Sequence, residues 1–246
     1  MELLRDRHPG DPLLDLALTH ALLRQVAAGD RGPLARVFRP GPTMAFGRLD
    51  AQRPGFAAAA EAARAHGYLP VVRLGGGRAA GYDEDAVLVE LVEPARTVAG
   101  GVQERFAGAT AVVVQALRDA GLDPVAGELP GEYCPGAWSV HDARGAPKLA
   151  GIAQRTIRGA SLSSAVVVVG GGDRLRAALV DVYAALELDW DPATAGGAAD
   201  LAPGLTAELV VEAALAALQR RTQTVEGEPG DAALAQAREL LTQHRV

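Results

Sequence analysis

One thiol and one ammonium group stand apart in this sequence. Of its 24 basic residues only Lys148 is a lysine, and Cys134, fourteen positions upstream, is the only cysteine. The abundance of Ala, Gly, Arg and Val points to a coding bias that replaces lysine wherever arginine serves. A lysine retained against that bias sits where a guanidinium will not do. An ammonium is a compact point charge whose pKa moves on burial, whereas a guanidinium is a planar fork that stays charged. The nucleophilic form of cysteine is the thiolate, and a neighbouring cation stabilises it. Cys134 and Lys148 are therefore the first candidates for chemistry.

A lone cysteine is most often a small buried hydrophobe. Here it opens Cys134-Pro135-Gly136, a bend in which side chains tend to be exposed. Strands expected over 132–140 and 148–156, joined through 142–147, form a hairpin that returns Lys148 to the cysteine. Gly151 leaves room for a ligand beside the lysine. A second stretch, residues 71–83, places Gly75-Gly76-Gly77 after a strand, between Arg73 and Arg78. Such glycines let N–H groups approach an anion or carbonyl oxygen, and the arginines offer bidentate contacts to phosphate or carboxylate. The same glycines equally suit an ordinary turn. They form neither GxGxxG leading into a helix nor a loop ending in GK[ST], so the two common nucleotide motifs are set aside.

The elements that position these residues follow from periodicity. Residues 11–28 carry helical apolar spacing, with Asp11-Pro12 as cap and first turn. Helices are also expected over 56–66, 103–120, 174–186, 205–221 and 231–244, and strands over 34–39, 43–48, 69–74, 86–92 and 164–169. Strands and helices interleave without a strict βαβ beat. The expectation is an α+β fold, a single domain over 1–246 with a mixed, largely antiparallel sheet flanked by helices, its core about 11–190 and C-terminal helices over 204–246. An apolar content of 49% suffices for a sizeable core. A net charge of −6 argues against nucleic acid as partner, and the scattered His8, His20, His66, His141 and His244 form no metal-binding pair. No apolar run of membrane-spanning length and no signal-peptide core are evident, so a cytoplasmic protein without metal or disulfide is expected.

At the two stretches the sequence resembles the biotin/lipoate protein ligase superfamily, the catalytic domain of lipoate–protein ligases and octanoyl- or lipoyltransferases. The RxxGGxxA segment that floors the family's acyl pocket is matched by Arg73-Leu74-Gly75-Gly76-Gly77-Arg78-Ala79. The lysine segment that holds the acyl carbonyl or acyl-adenylate is matched by Lys148-Leu149-Ala150-Gly151-Ile152-Ala153-Gln154. The resemblance covers roughly 13–188. It implies a class II aminoacyl-tRNA synthetase/biotin ligase-like fold, with Cys134 and Lys148 catalytic. Arg73, Gly75, Gly76, Gly77, Arg78, Ala79, Tyr82, Gly151 and Gln154 are implied to bind substrate.

Within the superfamily, classical ligases and the glycine-cleavage-protein-directed octanoyltransferases usually have His-Asp after the glycine loop, where this sequence has Gly81-Tyr82-Asp83. The Tyr-Cys-Pro-Gly bend and Arg155…Arg158-Gly159 resemble the amidotransferase branch, which passes an octanoyl or lipoyl group between carriers through a cysteine thioester and needs no ATP. On that resemblance Cys134 is the nucleophile, Lys148 and the N–H groups of Gly76 and Gly77 are oxyanion donors, and Lys148, Tyr82 or water protonates the leaving amine. Val71, Val89 and Val166 are expected to line the acyl slot. The partners implied are lipoyl-domain carriers, the glycine-cleavage H-type protein and 2-oxoacid dehydrogenase E2 subunits, with Arg78, Arg155 and Arg158 as a basic docking patch. One alternative is an ATP- and Mg-dependent lipoate–protein ligase; the accessory domain many ligases carry has little room here. The other is a silent acyl- or carrier-binding module, since Ser163-Ser164 replaces a His-Gly or Gln-Gly pair found in many relatives.

Overall fold

The computed structural model describes residues 1–8 and 10–246. Strand β1 (Glu2–Leu4) precedes helix α1 (Pro12–Ala28); Asp11 caps the helix by accepting the N–H of Leu14 at 3.1 Å, and Gly29 ends it in the left-handed region. Across a Pro-Gly-Pro corner lie β2 (Leu34–Phe38) and β3 (Thr43–Phe46), then α2 (Phe56–Ala65) and β4 (Leu69–Val72). The glycine loop leads into β5 (Ala80–Tyr82) and β6 (Ala86–Ala95), followed by α3 (Val102–Asp119) and β7 (Pro124–Ala126). An irregular stretch then gives way to β8 (Val140–Asp142), β9 (Gly145–Ile157), β10 (Gly159–Val168) and α4 (Gly172–Ala185). The chain closes with α5 (Ala207–Arg221), β11 (Val225–Glu226) and α6 (Asp231–Leu240).

Eight strands form one sheet in the order β11-β1-β2-β6-β10-β9-β8-β7, and β4-β3-β5 form a small second sheet. The pairs β1–β2, β1–β11 and β3–β4 are parallel and the others antiparallel, which is the mixed α+β architecture expected. Alternation along β6 and β10 separates two faces. Val87, Val89, Leu91, Ala165 and Val167 pack beneath α3 and α5, with Val113, Leu117, Val210 and Ala214. Leu88, Glu90, Leu162, Ser164 and Val166 face the other way, toward the small sheet and α1, and form the floor of a cavity. Helix α1 is buried on most of its sides, because α6 covers the side away from the sheet through Ala233, Ala237 and Leu240. A simple amphipathic stripe therefore understates its burial.

Two expectations are corrected. The hairpin is made by β8 and β9 alone, with Val140 opposite Ala150 and His141 opposite Lys148; residues 132–139 are not a strand. The reason lies in the bend itself: Cys134 has φ 44°, Pro135 has no N–H to give a ladder, and the carboxylate of Glu132 claims the N–H of Gly136. The last helix stops at Leu240 and turns into a 3₁₀ segment (Leu241–Gln243), after which His244 hydrogen-bonds Val72 in both directions: Val72 N–H to His244 O and His244 Nδ1 to Val72 O, each 2.9 Å. Among the described residues no helix is long and apolar enough to cross a membrane.

Candidate active site

The glycine loop and the cysteine bend meet at the sulfur. Cys134 Sγ accepts the backbone N–H of Arg78 at 3.2 Å and an Nη2 hydrogen of Arg73 at 3.4 Å. Arg73 is aimed by a second bond from Nη2 to the Arg78 carbonyl, 2.8 Å. Gly77, at φ 96°, lies so close that a Cβ there would stand 2.6 Å from Arg73 Nη2 and 2.8 Å from the sulfur. Only glycine permits that approach. The backbone of Cys134 is itself a non-glycine residue in the left-handed region, a conformation that must be held from outside. Tyr183 on α4 helps hold it: its Oη accepts the Cys134 N–H at 2.8 Å and donates to the Ala79 carbonyl at 2.9 Å. Burial pushes the thiol up, but the charges of Arg73 and Lys148 and the bonds from Arg73 and Arg78 outweigh it, so the thiol lies below its ordinary value.

Lys148 enters from β9, almost wholly buried. Its Nζ donates to the carbonyls of Tyr133 at 2.9 Å and Cys134 at 3.0 Å, and forms an ion pair with Glu132 at 3.1 Å. It also lies over the Tyr133 ring, 4.7 Å from the centroid. Two of the ammonium's three hydrogens go to these carbonyls, and the Glu132 contact is an ion pair. Burial lowers the lysine pKa, while Cys134 and Glu132 oppose the change. Glu132 in turn accepts the Ser139 hydroxyl at 2.7 Å and the Gly136 N–H at 3.0 Å, so one buried carboxylate ties the bend together.

From the sulfur a cavity of about 560 Å³ runs between the glycine loop and the large sheet. Leu16, Ala45, Leu88, Ile152, Leu162 and Val166 supply apolar wall, and Val98, Val102, Phe106 and Trp138 surround the mouth. Phe106 and Trp138 stack with their planes 5° apart. At the other end stand Tyr82 and Glu90; burial first, then the Glu90 charge, pushes the Tyr82 hydroxyl well above its ordinary value.

A family model, the lipoyl protein ligase A/B catalytic domain, matches residues 11–184. The chain belongs to this family. Among curated relatives, an octanoyl-[GcvH]:protein N-octanoyltransferase of Geobacillus kaustophilus is 29% identical over 91% of this chain and 82% of its own length. Its namesake in Exiguobacterium sibiricum is 35% identical over 58% of this chain and 52% of its own length. In fold the chain is similar to a lipoate-protein ligase A bound with ATP, TM-score 0.78 at 22% identity, covering 98% of this chain and 94% of that one. It is also similar to a putative lipoate protein ligase from T. acidophilum with bound lipoic acid, TM-score 0.76 at 21% identity, covering 98% and 95%.

On the lipoyl ligase A/B fold, the residues singled out by sequence fall into three groups. Cys134, Lys148, Arg73, Gly75, Gly76, Gly77, Tyr82, Gly151 and Gln154 all line the cavity. Gly151 sits beside the lysine, where a Cβ would be 3.4 Å from Lys148 Cε, and Gln154 links β9 to α3 by donating to the Val102 carbonyl at 3.1 Å. Arg78 and Ala79 do not line it: Arg78 gives its N–H to the sulfur but turns its guanidinium to buried Asp50 at 3.3 Å, and Ala79 is a core residue. The pairing of Arg78 with Asp50 also removes it from the expected basic patch, leaving exposed Arg158 and half-buried Arg155. Of the three valines expected to line the slot, only Val166 does. Val89 alternates onto the α3–α5 face, and Val71 packs against Leu13 and Ala45. Sequence reasoning missed Glu132, Tyr183 and Glu90. Glu132, two residues before the cysteine, could have been found as the counter-charge a buried lysine requires; Tyr183 and Glu90 carry no local signal.

Proposed function

We propose that this protein is an acyltransferase of lipoate metabolism, moving an octanoyl or lipoyl group between lipoyl-domain carriers through a thioester on Cys134. The observation that carries the reading is a thiol lowered by Arg73 and Lys148 at the head of a largely apolar cavity of about 560 Å³. The sulfur attacks the carbonyl of the donor's acyl-lysine amide; an S–C bond forms, the C–N bond breaks, and the departing amine takes the proton given up by the thiol. An acceptor lysine then attacks the thioester and releases the sulfur. Arg73 and the Arg78 N–H hold the thiolate, and the N–H groups of Gly76 and Gly77 are our candidates for the oxyanion, a role worth about 3 kcal/mol per donor. Lys148 holds the bend and contributes charge, since it already donates to the Tyr133 and Cys134 carbonyls and is paired with Glu132. Each methylene buried in the slot contributes about 0.8 kcal/mol.

The carriers in this reading are the H-type protein and E2 lipoyl domains, which the names of its relatives and of a structural neighbour mention for those proteins. The free thiol suits a reducing compartment, and we place the activity in the cytoplasm. Residues 1–246 act as one catalytic unit, because α5 and α6 complete the same cores that carry the site. Intact-protein mass spectrometry after mixing with octanoylated carrier, without ATP, tests the reading. One octanoyl group gained, labile to hydroxylamine and absent in Cys134→Ser, is expected. Acylation of a carrier only with ATP and free acid would instead establish a ligase, and inertness in both assays a binding module.

A further inference from the structure

A carboxyl group stands in the wall between this largely apolar slot and a second, smaller cavity. The sheet register gives its position. Gly151, beside Lys148, lies opposite Val166, and Val166 opposite Leu88; one row further in, Ala153, Ser164 and Glu90 stand side by side. Glu90 is thus two strands across and one row along from Gly151, about 12 Å between backbones at the usual strand spacing and rise, and its side chain reaches back into that span. An extended eight-carbon acyl chain spans about 9 Å. Glu90 is only 4% exposed and does not swing freely. Its Oε2 accepts the Thr19 hydroxyl at 2.6 Å and its Oε1 the Ser164 hydroxyl at 3.3 Å. Arg36, fully buried, donates to Thr19 Oγ1 at 3.2 Å, lies 3.9 Å from Glu90, and is itself anchored by Asp6 and Asp15. Behind this group is a second, small cavity of about 20 Å³ that shares Leu16, Tyr82, Leu88 and Glu90 as walls with the first.

We propose that Glu90, fastened by Thr19, Ser164 and Arg36, is the stop that sets acyl-chain length and excludes straight chains longer than octanoyl. The proposal rests on the thioester reading above. A longer chain must displace the carboxyl, leave the buried hydroxyls of Thr19 and Ser164 without their acceptor and take from Arg36 one of its three carboxylate neighbours, which is costly in a dry site. A shorter chain leaves slot unfilled, at about fourfold in affinity per methylene. The two penalties select one length.

The test is thioester loading on Cys134 from carriers bearing hexanoyl, octanoyl, decanoyl or dodecanoyl groups, read by intact mass. Wild type loads octanoyl at least tenfold faster than decanoyl. Glu90→Ala joins the two cavities and raises the decanoyl-to-octanoyl ratio at least tenfold, whereas Glu90→Gln keeps the wall and leaves the ratio within threefold. Ser164→Leu, which leaves Arg36 untouched, moves the wall toward the sulfur and shifts preference to hexanoyl; it keeps the test decisive should Glu90→Ala not fold. Unchanged ratios in both Glu90→Ala and Ser164→Leu, with octanoyl still loading, overturn the stop and spare the transferase. No thioester from any chain in wild type overturns the transferase reading and this inference with it.

Discussion

At the scale of single residues the site is a contest between burial and charge. Burial alone would raise the thiol of Cys134 and lower the ammonium of Lys148; Arg73, Lys148 and the Arg78 N–H reverse the first effect, and Cys134 and Glu132 oppose the second. Arg73→Met removes one cation and one hydrogen bond from the sulfur. The pH profile of iodoacetamide alkylation should then move to higher pH, and a profile displaced by a whole pH unit leaves reactivity at neutral pH down about tenfold. An unmoved profile would mean that Arg73 does not govern the thiol. Glu132 acts on stability as well. Glu132→Ala leaves a buried ammonium without its counter-charge and two donors, Ser139 Oγ and Gly136 N–H, without an acceptor. A loss of about 3–5 kcal/mol is expected by urea titration. Glu132→Gln, which still accepts from Ser139 and Gly136, should lose less.

At the scale of elements, four different segments converge on one sulfur: the glycine loop, the 132–139 bend, β9 and α4. Tyr183 is the link from α4, with one hydroxyl serving the Cys134 N–H and the Ala79 carbonyl. Tyr183→Phe cuts both bonds and leaves two polar groups short of a partner, so stability should fall by about 1–3 kcal/mol. Thioester formation should fall with it, because the strained cysteine backbone loses its outside support. If the variant loaded at the wild-type rate, the φ of Cys134 would need no help from α4. This convergence also decides what is legible in the sequence. Helix α3 and strands β6 and β10 follow from periodicity and β-branched runs, and Cys134, Lys148 and the glycine loop from composition and motif. Residues 132–139 resemble a strand in sequence but fold as a bend, because their conformation is set by Glu132, Tyr183 and Lys148, partners up to forty-nine residues away. The three-residue strands β5 and β7 are too short to show a period. Val71 and Val89 escape the sequence for a related reason: alternation says that neighbours face opposite ways, but only the packed helices, α1 for Val71 and α3 with α5 for Val89, say which way is inward.

At the scale of the whole molecule the C-terminal end is tied into the site's foundation. His244 bonds Val72, the residue before Arg73, and its Nε2 lies 3.1 Å from Nδ1 of His20 on α1. Arg24 Nε donates to His20 Nε2 at 3.2 Å, so the pair is met by a guanidinium and not by a carboxylate. Burial first, then His244, Arg24, Arg155 and Arg48, lowers the His20 pKa to about 4, and burial lowers that of His244 as well. A histidine depressed on folding binds fewer protons in the native state than in the unfolded chain between about pH 4 and 6.5. Native stability should therefore rise with pH through that window and be lost as pH falls through it, by about 2 kcal/mol for His20 after screening of the arginine charges. Glu90 works in the opposite sense, because its carboxyl is raised by burial and the folded state there holds the extra proton. The raw pH curve mixes the two, and the difference between wild type and His20→Gln separates them. That difference, from urea titrations at pH 5 and pH 7, should shrink toward acid as the wild type loses the advantage of a neutral imidazole. A constant difference would mean that His20 binds protons alike in the folded and unfolded states. If the difference does shrink, acid should also set His20 and His244 against each other as like charges, and Cys134 alkylation should slow beyond what thiol ionisation alone explains, since Arg73 follows directly on the strand that His244 clamps.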